Sequence, residues 1–295
     1  MYETFYGLRE KPFSLTPDPR YFYPSPCHAN ALELVQHGSR RTHGVTVITG
    51  TSGTGKTTTC RTILDSLDRK TFTSLVLNPY ISDDDLLQLI LQDFGVISRE
   101  EIRGGLLHGI KAVDLLRTLA EFLKSLTTLG ARALLIVDEA QKLPVNVLQQ
   151  IKKLSRLAED TPFQMVLVGQ LGLSDRLRIR DLRQLDDRVA IRYRLRPLSA
   201  SETTAYVQHR LTVAAEQPSV TFTPRALQRV HRATAGNPRL INLLCDRAML
   251  AGYSAQDARI EPATVDRAAA GLRLEPTGGM ADSLLGWMRR RVAAL

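Results

Sequence analysis

The chain reads as an α/β protein, with a parallel five-stranded sheet flanked by helices and a small all-helical domain after it. Three observations predict this. From Val45 to Leu195, short β-branched or apolar runs alternate with helical stretches, the pattern of a parallel sheet covered on both faces. The run Ala133–Val137 is wholly apolar, as expected of a central parallel strand. After Arg196-Pro197 the strands stop and only helical spacing continues.

The elements follow in order. The first 26 residues are rich in Tyr, Phe and Pro, and the dense prolines of TPDPRYFYPSP predict an extended segment packed by its aromatics. Ala31, Leu32 and Val35 give residues 27–41 a helical spacing. Strands are expected at 45–49, 72–77, 133–137, 163–168 and 189–195. Helices are expected at 56–68, after Ser82, at 112–128 and at 145–159. Asp83, Asp84 and Asp85 suit the first turn of the second of these, where the helix dipole favours negative charge. Beyond Pro197, helices at 199–214, 224–234, 238–251 and 262–270 are separated by Pro218, Gly236-Asn237-Pro238 and Gly252.

Composition narrows the class. With 295 residues, 43% hydrophobic and 23% charged, the chain can bury a full core. Cys27, Cys60 and Cys245 lack metal-site spacing and lie far apart, which argues against a disulfide framework and suits a reducing cytoplasm. No signal peptide is read in MYETFYGLREKPF, and no apolar run is long enough to span a membrane. A net charge of +9 leaves nucleic acid or anionic lipid open as partners.

The chemistry concentrates in two places. GTSGTGKT at 50–57 matches G-x-x-x-x-G-K-[ST] without mismatch, between an expected strand and an expected helix. In such a loop the N–H groups of Gly50, Thr51, Ser52, Gly53, Thr54, Gly55, Lys56, Thr57 and Thr58 surround phosphate oxygens. Lys56 reaches the β- and γ-phosphates of ATP, and the Thr57 hydroxyl ligates Mg²⁺. ALLIVDEA at 133–140 supplies the second half: a buried strand delivers Asp138 to hold Mg²⁺ through water, and Glu139 polarises the attacking water. Gln170, at the end of the strand FQMVLVG, is placed to touch the γ-phosphate or that water; the plain alternative is a polar strand end facing solvent. The stretch 178–197 is dense in arginine, and Arg188, with Arg183 in reserve, is the candidate to reach a neighbouring subunit's ATP. Arg239 opens a helix after the Gly-Asn-Pro break and is the candidate to report the γ-phosphate.

These motifs, in this order and followed by a four-helix lid, resemble the AAA+ superfamily. MYETFYGLREKPFSLTPDPRYFYPSPCHANAL, LVGQ at 167–170, DLRQLDDRVAIRYRLRPLS at 181–199 and GNPRLINLLCDRAML at 236–250 resemble the ExeA/GspA family, the ATPase of general secretion pathway protein A. The resemblance covers roughly residues 1–270 and implies Gln170 at the sensor 1 position, Arg188 as arginine finger and Arg239 as sensor 2. It also implies homo-oligomers with ATP-bridged interfaces, and a cytoplasmic ATPase at the inner membrane that works with a GspB partner on the secretin of type II secretion. The implied divisions are an N-terminal segment packed on the ATPase core (1–26), the ATPase domain (27–196), the helical lid (197–272) and a linker with a basic, apolar tail (273–295).

The family's membrane helix and periplasmic domain have no counterpart in this sequence, which reads either as the cytoplasmic part of a longer protein or as a free-standing relative. The tail around Trp287 and Arg289-Arg290-Arg291 reads equally as a juxtamembrane linker or as a docking helix. Related ATPases of the TnsC and MuB kind serve DNA transposition, so DNA stays as the alternative partner. A nucleotide-gated scaffold that hydrolyses little is the third reading.

Overall fold

The computed structural model describes residues 2–41, 44–104, 110–215 and 217–274. The expectations for the tail at 275–295 fall outside the described residues. A short helix α1, Tyr2–Phe5, opens the chain, and α2 follows at Pro26–Arg41. All five expected strands are present: β1 Gly44–Thr49, β2 Thr71–Val76, β3 Arg132–Val137, β4 Phe163–Gly169 and β5 Val189–Arg194. Among them run α3 Lys56–Asp65, α4 Asp83–Asp93, α5 Arg99–Arg103, α6 Ala112–Leu129, α7 Val145–Asp160, α8 Gly172–Leu177 and α9 Arg183–Asp186. The strands pair in parallel in the order β2-β3-β4-β1-β5.

Burial explains why the sheet forms from these residues. Along β3, Ala133, Leu135 and Val137 enter one core, while Leu134 and Ile136 enter the other. The first core includes Leu87 of α4, Leu119 of α6 and Ile151 of α7; the second includes Val35 of α2 and Ile63 of α3. Each buried Leu, Ile or Val of this kind stabilises by about 1.5–3 kcal/mol, so neither face of β3 tolerates a polar side chain. Local signals set the helix ends. The Ser82 hydroxyl accepts from Asp85 N at the start of α4, and Gly130, at φ +60°, closes α6.

Because every strand runs the same way, all carboxyl ends lie along one edge. The strand order puts β4 between β3 and β1. The loops that leave Thr49, Val137 and Gly169 are therefore neighbours: Gly50 N donates to Gly169 O at 3.1 Å. In open parallel sheets this edge is where ligands bind.

The described residues pack as two compact units, 26–196 and 2–25 with 197–274. The second unit holds α10 Ala200–Ala214, α11 Pro224–Thr234, α12 Pro238–Ser254 and α13 Pro262–Gly271. Their starts follow capping chemistry: Ser199 and Glu202 form a reciprocal capping box, while Thr223 and Asn237 cap helices that begin with proline. Contrary to the expectation that strands stop at Pro197, Thr221–Phe222 (β6) and Arg259–Ile260 (β7) pair as a two-residue parallel ladder. Each piece is the extended lead into the next helix, too short to show alternation in sequence.

The N-terminal segment, read from sequence as extended, contains α1 and a single helical turn at Pro19–Tyr21, and it packs with the helical unit. Tyr2, Tyr6, Phe13 and Tyr21 share one buried core with Leu244, Cys245 and Met249. The Tyr6 hydroxyl donates to Met249 O at 2.9 Å, and the Tyr2 hydroxyl to Asp246 at 2.5 Å. Arg210 fastens the rest. Its buried guanidinium donates to Pro12 O, to the Tyr206 hydroxyl at 2.9 Å and to Ser14 O at 3.3 Å, and it lies 4.5 Å from the Tyr21 ring centre.

Arg210→Ala leaves the buried Pro12 carbonyl without its donor and removes a cation–π contact, so we expect a loss of about 2–4 kcal/mol. The urea midpoint should fall with the m-value unchanged. A midpoint shift worth less than about 0.5 kcal/mol would show that the segment is held by its aromatics alone.

Candidate active site

The loop at 50–55 joins β1 to α3 and keeps the backbone open toward the sheet edge. Gly55 caps α3 at φ +93° without any side-chain hydrogen bond, so no side chain competes for the first-turn N–H groups of α3. A Cβ at Gly55 would also lie 3.0 Å from the His28 ring. That ring is buried at the start of α2, and its Nε2 donates to Thr54 O at 2.8 Å, fixing the loop from beneath. The Thr54 hydroxyl donates to Thr51 O, while Thr51 and Ser52 form the exposed tip.

Lys56 is only 5% exposed, and its ammonium donates to Gly50 O at 3.0 Å and Thr51 O at 2.9 Å. Burial pulls its pKa below the ordinary lysine value, while the nearby charges of Glu139 and Asp138 resist the shift. From β3 comes Asp138, 2% exposed, whose Oδ2 accepts from the Thr57 hydroxyl at 2.5 Å and Oδ1 from Glu139 N at 2.8 Å. Thr57 and Asp138 thus offer adjacent hard oxygen donors at the foot of the loop, and this donor set fits Mg²⁺. Such an ion takes one or two protein oxygens and completes its shell with phosphate oxygens and water.

Glu139 stands at φ +50°, a left-handed conformation that costs a non-glycine residue about 1–3 kcal/mol and concentrates at functional positions. Its carboxylate accepts from Lys142 Nζ at 2.8 Å and Gln141 Nε2 at 2.9 Å. Partial burial acts to raise its pKa, but these two donors and the charges of Lys142 and Lys56 outweigh it and hold the group below the ordinary value.

The AAA domain family matches residues 39–177. General secretion pathway protein A of Aeromonas hydrophila is 40% identical over 293 residues, spanning 97% of this chain and 52% of that protein. The ORC2 protein of Aeropyrum pernix superposes with a TM-score of 0.66 at 17% identity, over 93% of this chain and 74% of that one. A Walker-type ATPase of Pyrococcus abyssi gives 0.61 at 16% identity, over 95% and 80% of the two chains. The chain is an AAA+ protein related to general secretion pathway protein A. It spans about half the length of that relative. The AAA+ fold implies nucleotide binding.

Within the AAA+ unit, the remaining candidates separate. Gln170 follows β4 between the β3 and β1 ends, beside Glu139, and its backbone N donates to Gln141 Oε1 at 2.9 Å. Arg188 does not join the site. It precedes β5 at the amino edge of the sheet, where its carbonyl accepts from Val45 N, and six residues of β1 put it about 20 Å from the loop. There its guanidinium donates to Glu159 at 2.5 Å and to Gln184 O at 3.2 Å. Arg183 is exposed on α9. Arg239 belongs to the helical unit, exposed in the first turn of α12.

Three side chains at the site escaped the sequence reading: His28, Gln141 and Arg176. The Arg176 guanidinium, from α8, donates to Gln141 O and Leu143 O and so fixes the loop after Glu139. Only Gln141 carried a visible signal, being two residues past the Asp-Glu pair at a strand end.

Proposed function

We propose that this chain binds ATP with Mg²⁺ at residues 50–58 and hydrolyses it to ADP and phosphate. The observation that carries the reading is the convergence of Lys56, Thr57, Asp138 and Glu139 at the carboxyl edge of the sheet, past the ends of β1 and β3. Loop N–H groups and Lys56 hold and neutralise the phosphates, and Thr57 with Asp138 holds the ion. The ion, when bound, draws off charge that develops on the β- and γ-phosphate oxygens. Glu139 orients a water in line with the γ-phosphorus. As the water oxygen bonds to phosphorus, the bond to the β–γ bridging oxygen breaks, ADP leaves with that electron pair, and Glu139 takes the water's proton. Gln170 would steady the water or the γ-phosphate from β4.

Arg188 lies too far from its own loop to act there, which favours a role in trans, on the nucleotide of a second copy in a homo-oligomer. The 40% identity with general secretion pathway protein A supports envelope and secretion assembly as the setting, with a GspB-like membrane partner. Among the described residues no helix is long and apolar enough to cross a membrane.

Two expected results test this. Glu139→Gln should bind ATP as the wild type does and turn over at least about a hundredfold slower, the usual size of a general-base effect. Unchanged turnover would move the base to another residue. Mixing Arg188→Ala with Lys56→Ala protein should restore turnover that neither shows alone, because a mixed interface pairs an intact loop with an intact finger. Failure to recover in confirmed mixed oligomers would remove Arg188 from the mechanism. Strong stimulation by duplex DNA in the same assay would shift the substrate from envelope assembly to nucleic acid.

A further inference from the structure

We propose that Gln141 is a positioning residue for hydrolysis, its side-chain amide tying the Glu139 carboxylate to the backbone at Gln170. The proposal rests on the reading of Glu139 as the base. Gln141 Nε2 donates to Glu139 Oε2 at 2.9 Å, and Gln141 Oε1 accepts from Gln170 N at 2.9 Å. The two partners settle the orientation of the amide. A carboxylate only accepts and a backbone N–H only donates, so a flipped amide would break both bonds. The side chain is thus held at both ends, between the strand end that carries Glu139 and the strand end that carries Gln170.

The surroundings are shaped for this link. A Cβ on residue 169 would lie 2.5 Å from Gln141 Oε1, so the glycine there leaves the room the amide fills. Arg176 donates to the carbonyls of Gln141 and Leu143, which fixes the backbone under the side chain. Glu139 itself is wound into a left-handed turn, so its carboxylate is aimed by the loop and not by its own rotamer alone. Among the described residues Lys142 is the other side-chain donor to Glu139, but its side chain is half exposed and makes no second bond. A lysine held only by the carboxylate can swing away when that carboxylate takes up a water. The amide cannot, because Gln170 N holds its far end. Gln141 therefore fixes where the base points when the lysine leaves.

The nearest replacements lose one bond or both. Glutamate would set a second carboxylate against Glu139 and lose the donor. Asparagine is one methylene short. Leucine fills the space with neither bond. Misplacing a catalytic group by about 1 Å costs up to about a hundredfold in rate.

The experiment is a double-mutant cycle on the full chain, reading ATP affinity, KM, kcat and melting temperature for wild type, Gln141→Leu, Glu139→Gln and the double variant. Gln141→Leu should lower kcat about ten- to a hundredfold with KM, ATP affinity and melting temperature near wild type. In the Glu139→Gln background the same change should have little further effect, because the group it aims is already gone. Gln141→Asn, closer in polarity, should show the same split where leucine costs stability. Slow Glu139→Gln with wild-type kcat for Gln141→Leu overturns this proposal alone. An equal kcat loss in both backgrounds also overturns it, since the residue would then act independently of Glu139. Wild-type turnover in Glu139→Gln removes the base reading, and this proposal with it.

Discussion

Gly236→Ala is expected to cost the helical unit at least about 4 kcal/mol, the range reserved for a named structural clash. Gly236 sits between α11 and α12 at φ +71°, where an alanine pays about 1–2 kcal/mol for the left-handed conformation alone. Steric contact costs more. A Cβ there would lie 1.8 Å from Leu198 O, 2.8 Å from Leu198 C and 3.0 Å from Leu198 N, all backbone atoms that no rotamer change can move. Leu198 N also donates to Gly236 O at 2.8 Å, so the two stretches of chain cannot part without losing that bond. Displacing Leu198 would drag the Ser199 capping box, and with it the start of α10. Gly130→Ala is the control, because Gly130 has a similar φ of +60° with nothing within 4 Å of the added carbon. It should cost only the conformational part, about 1–2 kcal/mol. Urea unfolding of the two variants separates conformational strain from the clash. Midpoints that agree within the error would mean the Leu198 contact relaxes freely.

The central strands β1, β3 and β4 were legible because burial on both faces leaves little choice of residue. Ala133–Val137 could not be anything but a covered strand, and the structure assigns β3 to Arg132–Val137. Residues 50–57 were legible for a related reason: the motif specifies backbone shape and one lysine, and local sequence carries both. What the sequence hid was non-local. Tyr2, Tyr6 and Phe13 announced that residues 1–26 pack by aromatics, but nothing in their spacing says against which surface. Their partners Cys245 and Met249 lie more than two hundred residues along the chain. The short helices α8 and α9 are less than two turns each, below the length at which periodicity shows. Arg188 illustrates the site's version of the limit. Its place before β5 was plain from sequence, while its distance from the loop needed the direction and order of the strands. Gln141 and His28 act through single contacts across loops, which no periodic pattern encodes.

Lys56→Ala is expected to weaken ATP binding by a hundredfold or more, equivalent to about 2.7 kcal/mol. The ammonium is buried at the mouth of the loop, where the surrounding protein screens charge less than water does, so its attraction for phosphate oxygens is strong. Backbone N–H groups bring partial dipoles to the same oxygens but no net charge. Alanine would also remove the bonds from Nζ to Gly50 O and Thr51 O, and a loosened loop would mimic a lost contact. Lys56→Met separates the two effects, since methionine keeps the apolar stem and its packing under the loop without the charge. Thr51 O keeps its bond from the Thr54 hydroxyl in both variants, and Gly50 N keeps Gly169 O, so the loop retains its main ties. Both variants should melt near the wild-type temperature and both should lose ATP in a direct binding assay. Micromolar affinity surviving in both variants would mean that the phosphates lie elsewhere. Survival in methionine with loss in alanine would assign the lysine to loop shape instead of charge. Equal loss in both, with the fold intact, assigns it to the β- and γ-phosphates.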